Sequence, residues 1–100
     1  MAKPQPFNDV GLLVLISLAG GPKHGHSMLL DIDGFARVRL GPGTLYGAIS
    51  RLEEQGEIEP IEQDGRRRPY RLTERGRRHL GIRLGSLDRT VRAGLTRTAP

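Results

Sequence analysis

The stretch RLEEQGEIEPIEQDGRRRPYRLTERG, residues 51–76, decides the fold, because the period of its apolar residues changes within it. Up to Gln55 the spacing is helical, and Gly56 stands where a helix end favours a left-handed residue. Glu57, Ile58 and Glu59 then alternate polar and apolar before Pro60 interrupts, the pattern of an edge strand. Asp64-Gly65 is a turn, Arg66, Arg67 and Arg68 form its basic tip, and YRLT returns as a second strand. The pair reads as a β-hairpin. Thr73 offers the N-cap of a further helix, with Glu74 in its favourable first turn.

Upstream, a helix is expected from Pro42 to Gln55. Leu45, Ile49 and Leu52 share its inner face, and Thr44, Gly47, Ser50 and Arg51 occupy the opposite side. Tyr46 flanks the apolar stripe, with a ring for the domain and a hydroxyl able to reach outward. Pro42 suits the first helical position, which leaves the early amides free to point at an anion. Gly43 and Gly47 would let the backbone approach a groove wall, although taken alone they fit helix entry and local packing equally well. A phosphate-binding P-loop is a poor match, since no Lys-Ser/Thr pair follows.

Before this helix, His24 to Ile32 reads as a short helix stopped by Asp33-Gly34-Phe35, with ARVRL as an extended or irregular connector. Phe7 to Leu18 reads as a helix buried on most sides, capped by Asn8 or Asp9. After the hairpin, Leu80, Leu84, Leu87, Val91 and Leu95 recur at spacings of 4, 3, 4 and 4, an apolar stripe along one long helix. Gly76, Gly81, Gly85 and Gly94 weaken that helix, so it needs something to pack against.

The expected fold is therefore mainly α with a small β-hairpin: a winged helix-turn-helix plus a long C-terminal helix. Its parts are a flexible N-terminal arm at 1–6, the winged helix-turn-helix domain at 7–73, a dimerisation helix at 74–97 and a tail at 98–100.

A chain of 100 residues suggests one compact domain with a small core, which makes oligomerisation worth expecting. Cysteine is absent, which excludes disulfides and thiolate metal sites. No apolar run is long enough for a membrane span, and a cytoplasmic location with no membrane partner is expected. The charge is lopsided. Residues 1–35 sum to −1, whereas residues 66–97 hold eleven arginines against Glu74 and Asp88 and sum to +9. An arginine-rich end of this kind points to an anionic polymer, double-stranded DNA above all.

The hairpin tip Arg66–Arg68 can spread over a duplex backbone or enter a minor groove, and Arg71, Arg75, Arg77 and Arg78 extend the basic surface. Glu57, Glu59 and Glu62 would pair with arginines or face away from the DNA. His24 and His26 do not share a helical face, and no HExxH pattern or nucleophile–base pair occurs. No catalytic, metal or cofactor site is expected. Pairing of two stripes would set two recognition helices on one duplex, favouring a homodimer. The competing account is a winged-helix module whose basic surface recognises an acidic protein.

In order, KHGHSMLLDI, GPGTLYGAISRLEEQGEIEP and GRRRPYRLTERGRRHL resemble the successive signatures of the PadR family of transcriptional regulators. The resemblance runs from about Leu12 to Leu80, and the tail looks like the small subfamily with a single C-terminal helix. It implies a winged helix-turn-helix homodimer, mostly repressing, which some relatives release with a small-molecule effector. It implies a recognition helix of Pro42, Gly43, Thr44, Tyr46, Gly47, Ser50 and Arg51, and a wing of Arg66, Arg67 and Arg68. It also implies a dimer interface of Leu12, Leu13 and Ile16 with Leu80, Leu84, Leu87, Val91 and Leu95. Two departures stand out: His26 where the family commonly has tyrosine, and Gly47 where it often has proline.

Overall fold

A computed structural model describes residues 9–62 and 69–100. Three helices, α1 (Val10–Ala19), α2 (Gly25–Ala36) and α3 (Pro42–Glu54), precede strands β1 (Ile58–Pro60) and β2 (Tyr70–Leu72) and a long α4 (Glu74–Thr98). The fold is the expected one, mainly helical with a small antiparallel hairpin and a long C-terminal helix.

Asp9 caps α1: its Oδ1 accepts from the Leu12 amide at 3.1 Å and the helix runs on from Val10, while Phe7 and Asn8, also expected at this helix start, lie outside the described residues. Leu12, Leu13, Val14, Leu15 and Leu18 are all buried, because α1 packs against α2, α3, β2 and α4 at once. The helix is the axle of the domain.

The expected end of α2 at Ile32 is corrected to Ala36. Gly34 lowers helix propensity by about 1 kcal/mol relative to alanine, but Ala36 beyond it packs on the core. The added turn also keeps its backbone hydrogen bonds. Termination comes at Arg37, whose backbone is left-handed at φ 58° and whose N–H donates to the Asp33 carbonyl at 3.1 Å. That conformation costs a non-glycine residue roughly 1–2 kcal/mol.

The strands pair Ile58 with Leu72, Glu59 with Arg71 and Pro60 with Tyr70. Pro60 closes β1 rather than interrupting it, and Ile61 N–H donates to the Pro69 carbonyl at 2.7 Å just beyond. The other edge of β2 is not free either. Lys23 and Tyr70 exchange backbone bonds of 3.1 and 2.9 Å, which ties the α1–α2 turn to the hairpin. Lys23 Nζ also donates to the Ser17 carbonyl at 2.5 Å, and Ser17 Oγ to Asp31 at 2.7 Å.

One junction joins α3, β1 and α4. Glu57 N–H donates to the Leu52 carbonyl at 2.9 Å, Thr73 N–H donates to the Glu57 carbonyl at 3.0 Å, and Thr73 Oγ1 donates to the Gly56 carbonyl at 2.6 Å. The same hydroxyl accepts from the Gly76 amide at 3.0 Å, the cap expected of Thr73. Gly76 must be glycine, since a Cβ there would lie 2.8 Å from the Glu57 carbonyl carbon. The Glu57 side chain, 3% exposed, pairs with His79 Nδ1. One turn further along the same face of α4, Arg83 pairs with the capping Asp9.

Candidate nucleic-acid interface

Helix α3 has one face in the core and one open to a partner. Leu45, Ala48, Ile49 and Leu52 are buried, while Pro42, Gly43, Thr44, Tyr46, Ser50 and Arg51 are exposed and Gly47 is half-buried. All seven residues expected on the recognition helix thus lie off its core stripe. The N-terminus carries no acidic residue in its first turn and no side-chain cap. Leu45 N–H bonds the Gly41 carbonyl at 3.1 Å, leaving the Gly43 and Thr44 amides free of helical partners at the positive end of the dipole.

Gly43 and Gly47 lie one turn apart, and nothing within 4 Å would meet a Cβ at Gly43. At Gly47 the nearest group is the Arg51 guanidinium, 3.6 Å from where a Cβ would be. Arg51 therefore runs back along the helix over Gly47, the direction helical side chains favour. A proline or long side chain at 47 would compete for that space. Tyr46 departs from expectation. Its ring leans on α2 so closely that a Cβ on Gly25 would lie 2.7 Å from the phenol carbon bearing the hydroxyl, and the hydroxyl is turned toward that helix start.

The wing residues Arg66, Arg67 and Arg68 lie outside the described residues, but the strands leading to them are fixed by the register above. Arg71 is paired with Glu59 at 2.9 Å, which reduces its share of the basic surface. Glu57 turns inward to His79, so of the three acidic residues expected near the hairpin only Glu59 meets an arginine among the described residues. Arg75, Arg77 and Arg78 are exposed at the start of α4. Ahead of α3, the turn carries Arg37 and Arg39, both exposed and overlooked when the connector was read as irregular. Arginine spacing around the buried Val38 was the available signal. His24 caps α2 only through its backbone and His26 is exposed.

The eight residues expected at a subunit contact separate into three groups. Leu12, Leu13 and Leu80, at 1%, 2% and 4% exposure, belong to the chain's own core. A side chain already enclosed has little surface left to offer a second chain. Ile16 and Leu87 are half-buried against the core. Leu84, Val91 and Leu95 are exposed, the last two at 54% and 66%. No helix among the described residues is long and apolar enough to cross a membrane, and no group of metal-binding side chains occurs among them.

Residues 12–82 match the family model described as the transcriptional regulator PadR-like family. The chain is 45% identical over 82 residues to an uncharacterized 37.1 kDa protein in transposon TN4556 of Streptomyces fradiae. The match takes in 82% of the chain but 24% of that relative, so the chain spans about a quarter of the relative's length. Among solved structures, a transcriptional regulator from Clostridium thermocellum is similar with TM-score 0.77 and 24% identity, covering 90% of each chain. A PadR family regulator from Clostridium difficile R20291 gives 0.76 and 22%, covering 88% of this chain and 95% of that one. One from Eggerthella lenta gives 0.68 and 25%, covering 87% and 80%.

Proposed function

The chain belongs to the PadR-like family of transcriptional regulators, and from that premise we propose that it is a homodimeric repressor reading double-stranded DNA by sequence. Membership supports a DNA-binding regulator rather than an enzyme. The observation that carries the finer reading is the outer face of α3, a slim and nearly neutral edge beside a hairpin that leads to three arginines.

In this reading Pro42, Gly43, Thr44, Tyr46, Gly47, Ser50 and Arg51 form the recognition surface. Ser50 and Arg51 supply hydrogen bonds to base edges, and Tyr46 holds the helix against α2. Arg66, Arg67 and Arg68 grip the backbone as the wing, a sequence-independent contribution that weakens with salt. Leu84, Leu87, Val91 and Leu95 form the subunit contact. The family resemblance supports release by a small-molecule effector, and the regulator works on DNA in the cytoplasm.

Selection of bound fragments from random and genomic DNA by the purified protein tests the proposal. Enrichment of a two-fold motif with half-sites about one helical turn apart is expected. Failure to enrich any sequence at low and moderate salt overturns sequence-specific reading and favours the protein-interaction module. Replacing Arg66, Arg67 and Arg68 together with alanine should weaken binding to the selected and the random duplex alike; unchanged affinity for both would refute the wing assignment.

A further inference from the structure

Arg37 is the only non-glycine residue with positive φ among those described. It stands at the C-cap of α2, where glycine adopts the same backbone without a steric penalty. An arginine there weakens the turn, so stability is not what its side chain supplies. Its side chain is exposed and engages no described residue by ion pair or hydrogen bond.

The rest of the turn holds that side chain out. Val38 is buried beside it and Leu40 is half-buried, while the Arg39 side chain is 91% exposed. Buried Val38 and half-buried Leu40 anchor the backbone of the turn and leave both arginine side chains facing solvent. The acidic group nearby is Asp33, 3.7 Å from Arg39 and itself partly exposed, a loose pairing that a phosphate can replace. Arg39 lies three residues before Pro42, at the end of α3 where the Gly43 and Thr44 amides are free. The wing follows the other end. In sequence, the arginines before α3 and those after it are separated by this 13-residue helix, about 20 Å long.

We propose that Arg37 and Arg39 clamp the DNA phosphates flanking the groove that α3 enters, Arg37 directly and Arg39 by exchanging Asp33 for phosphate. This inference rests on the DNA-reading function proposed above. The strained cap then has a reason: an arginine is kept where glycine would fold better, because the position aims a cation at the backbone. Phosphate contacts set position and affinity without reading sequence, so the clamp acts on every duplex.

Arg37→Gly separates this role from a structural one, because stability and binding should move in opposite directions. The variant should melt several degrees higher than the parent, since the left-handed strain is gone. Its affinity for a random-sequence duplex should fall about fivefold per bound chain at 0.15 M salt, with the slope of log K against log salt shallower by about 0.9. Arg37→Lys should keep the slope and the melting temperature of the parent. Arg39→Ala should weaken binding less than Arg37→Gly, since Asp33 already competes for Arg39. An Arg37→Gly variant with unchanged affinity and salt slope overturns the clamp. If the parent binds no duplex at all, the DNA-reading proposal falls with it. Parent binding that depends on the wing but not on Arg37 overturns the clamp alone.

Discussion

Glycines in this chain have opposite meanings depending on what faces them. At Gly76 the missing Cβ lets α4 start directly against the Glu57 backbone. Gly76→Ala should therefore cost about 1–3 kcal/mol, the usual penalty of overpacking, read as a lower midpoint in urea denaturation. Gly81 faces open space, and Gly81→Ala should raise stability by about 0.5–1 kcal/mol in the same measurement. Gly47 lies between these cases. Alanine there meets Arg51 at an ordinary contact distance, so Gly47→Ala should keep DNA affinity, whereas Gly47→Gln should displace the guanidinium and relax base preference in a repeat of the selection. The sequence marked Gly47 as unusual but not why, because its neighbour is a side chain whose direction only the folded helix fixes.

Among the elements, α4 matters most because its start packs on α1 and β2 and its end carries the proposed subunit contact. Its start is fixed by Thr73, by the Gly76 contact and by the pairing of His79 with the buried Glu57. Removing His79 strands a buried carboxylate. His79→Ala should cost about 1–2 kcal/mol in denaturant, toward the low end for an unpartnered group because His79 itself is half-exposed. Glu57→Gln in the same background should recover part of the loss, since an amide is less costly to leave unpaired than a charge. If α4 sets the angle of α3 and wing through this junction, His79→Ala should also weaken DNA binding at temperatures where it stays folded. Element boundaries followed local chemistry closely where a cap was present. The end of α3 near Gly56 and the start of α4 after Thr73 were legible for that reason. The end of α2 was not, because the turn past Gly34 is held by Ala36 packing on the core, a contact that local pattern does not display.

At the scale of the molecule, the radius of gyration is 15.2 Å and the extents are 57 × 30 × 20 Å, well above the radius of about 13 Å expected for a closed domain of 100 residues. The excess is α4, about 37 Å long over its 25 residues, whose final turns are exposed with Val91 and Leu95 on the same stripe as Leu84. Val91→Asp with Leu95→Asp should shift the protein toward monomer in analytical ultracentrifugation, with the melting curve little changed at low concentration. Leu12→Ala should instead destabilise the fold by about 2–5 kcal/mol, because Leu12 fills the core. Equal dissociation by both variants would contradict the division of the leucines.

That division marks the boundary between sequence and structure in this protein. The order of elements, the hairpin, the face of α3 that carries Gly43, Thr44, Ser50 and Arg51, and the basic bias of the C-terminal part all followed from the sequence. Caps, turns and apolar periods act over a few residues. Only tertiary structure decided that Leu80 is enclosed while Leu84 is not, that Glu57 reaches His79, that Lys23 borders Tyr70 and that Arg37 is held in strain. Those outcomes depend on which surfaces meet between elements distant in sequence, and the free energy of burial has no local signature.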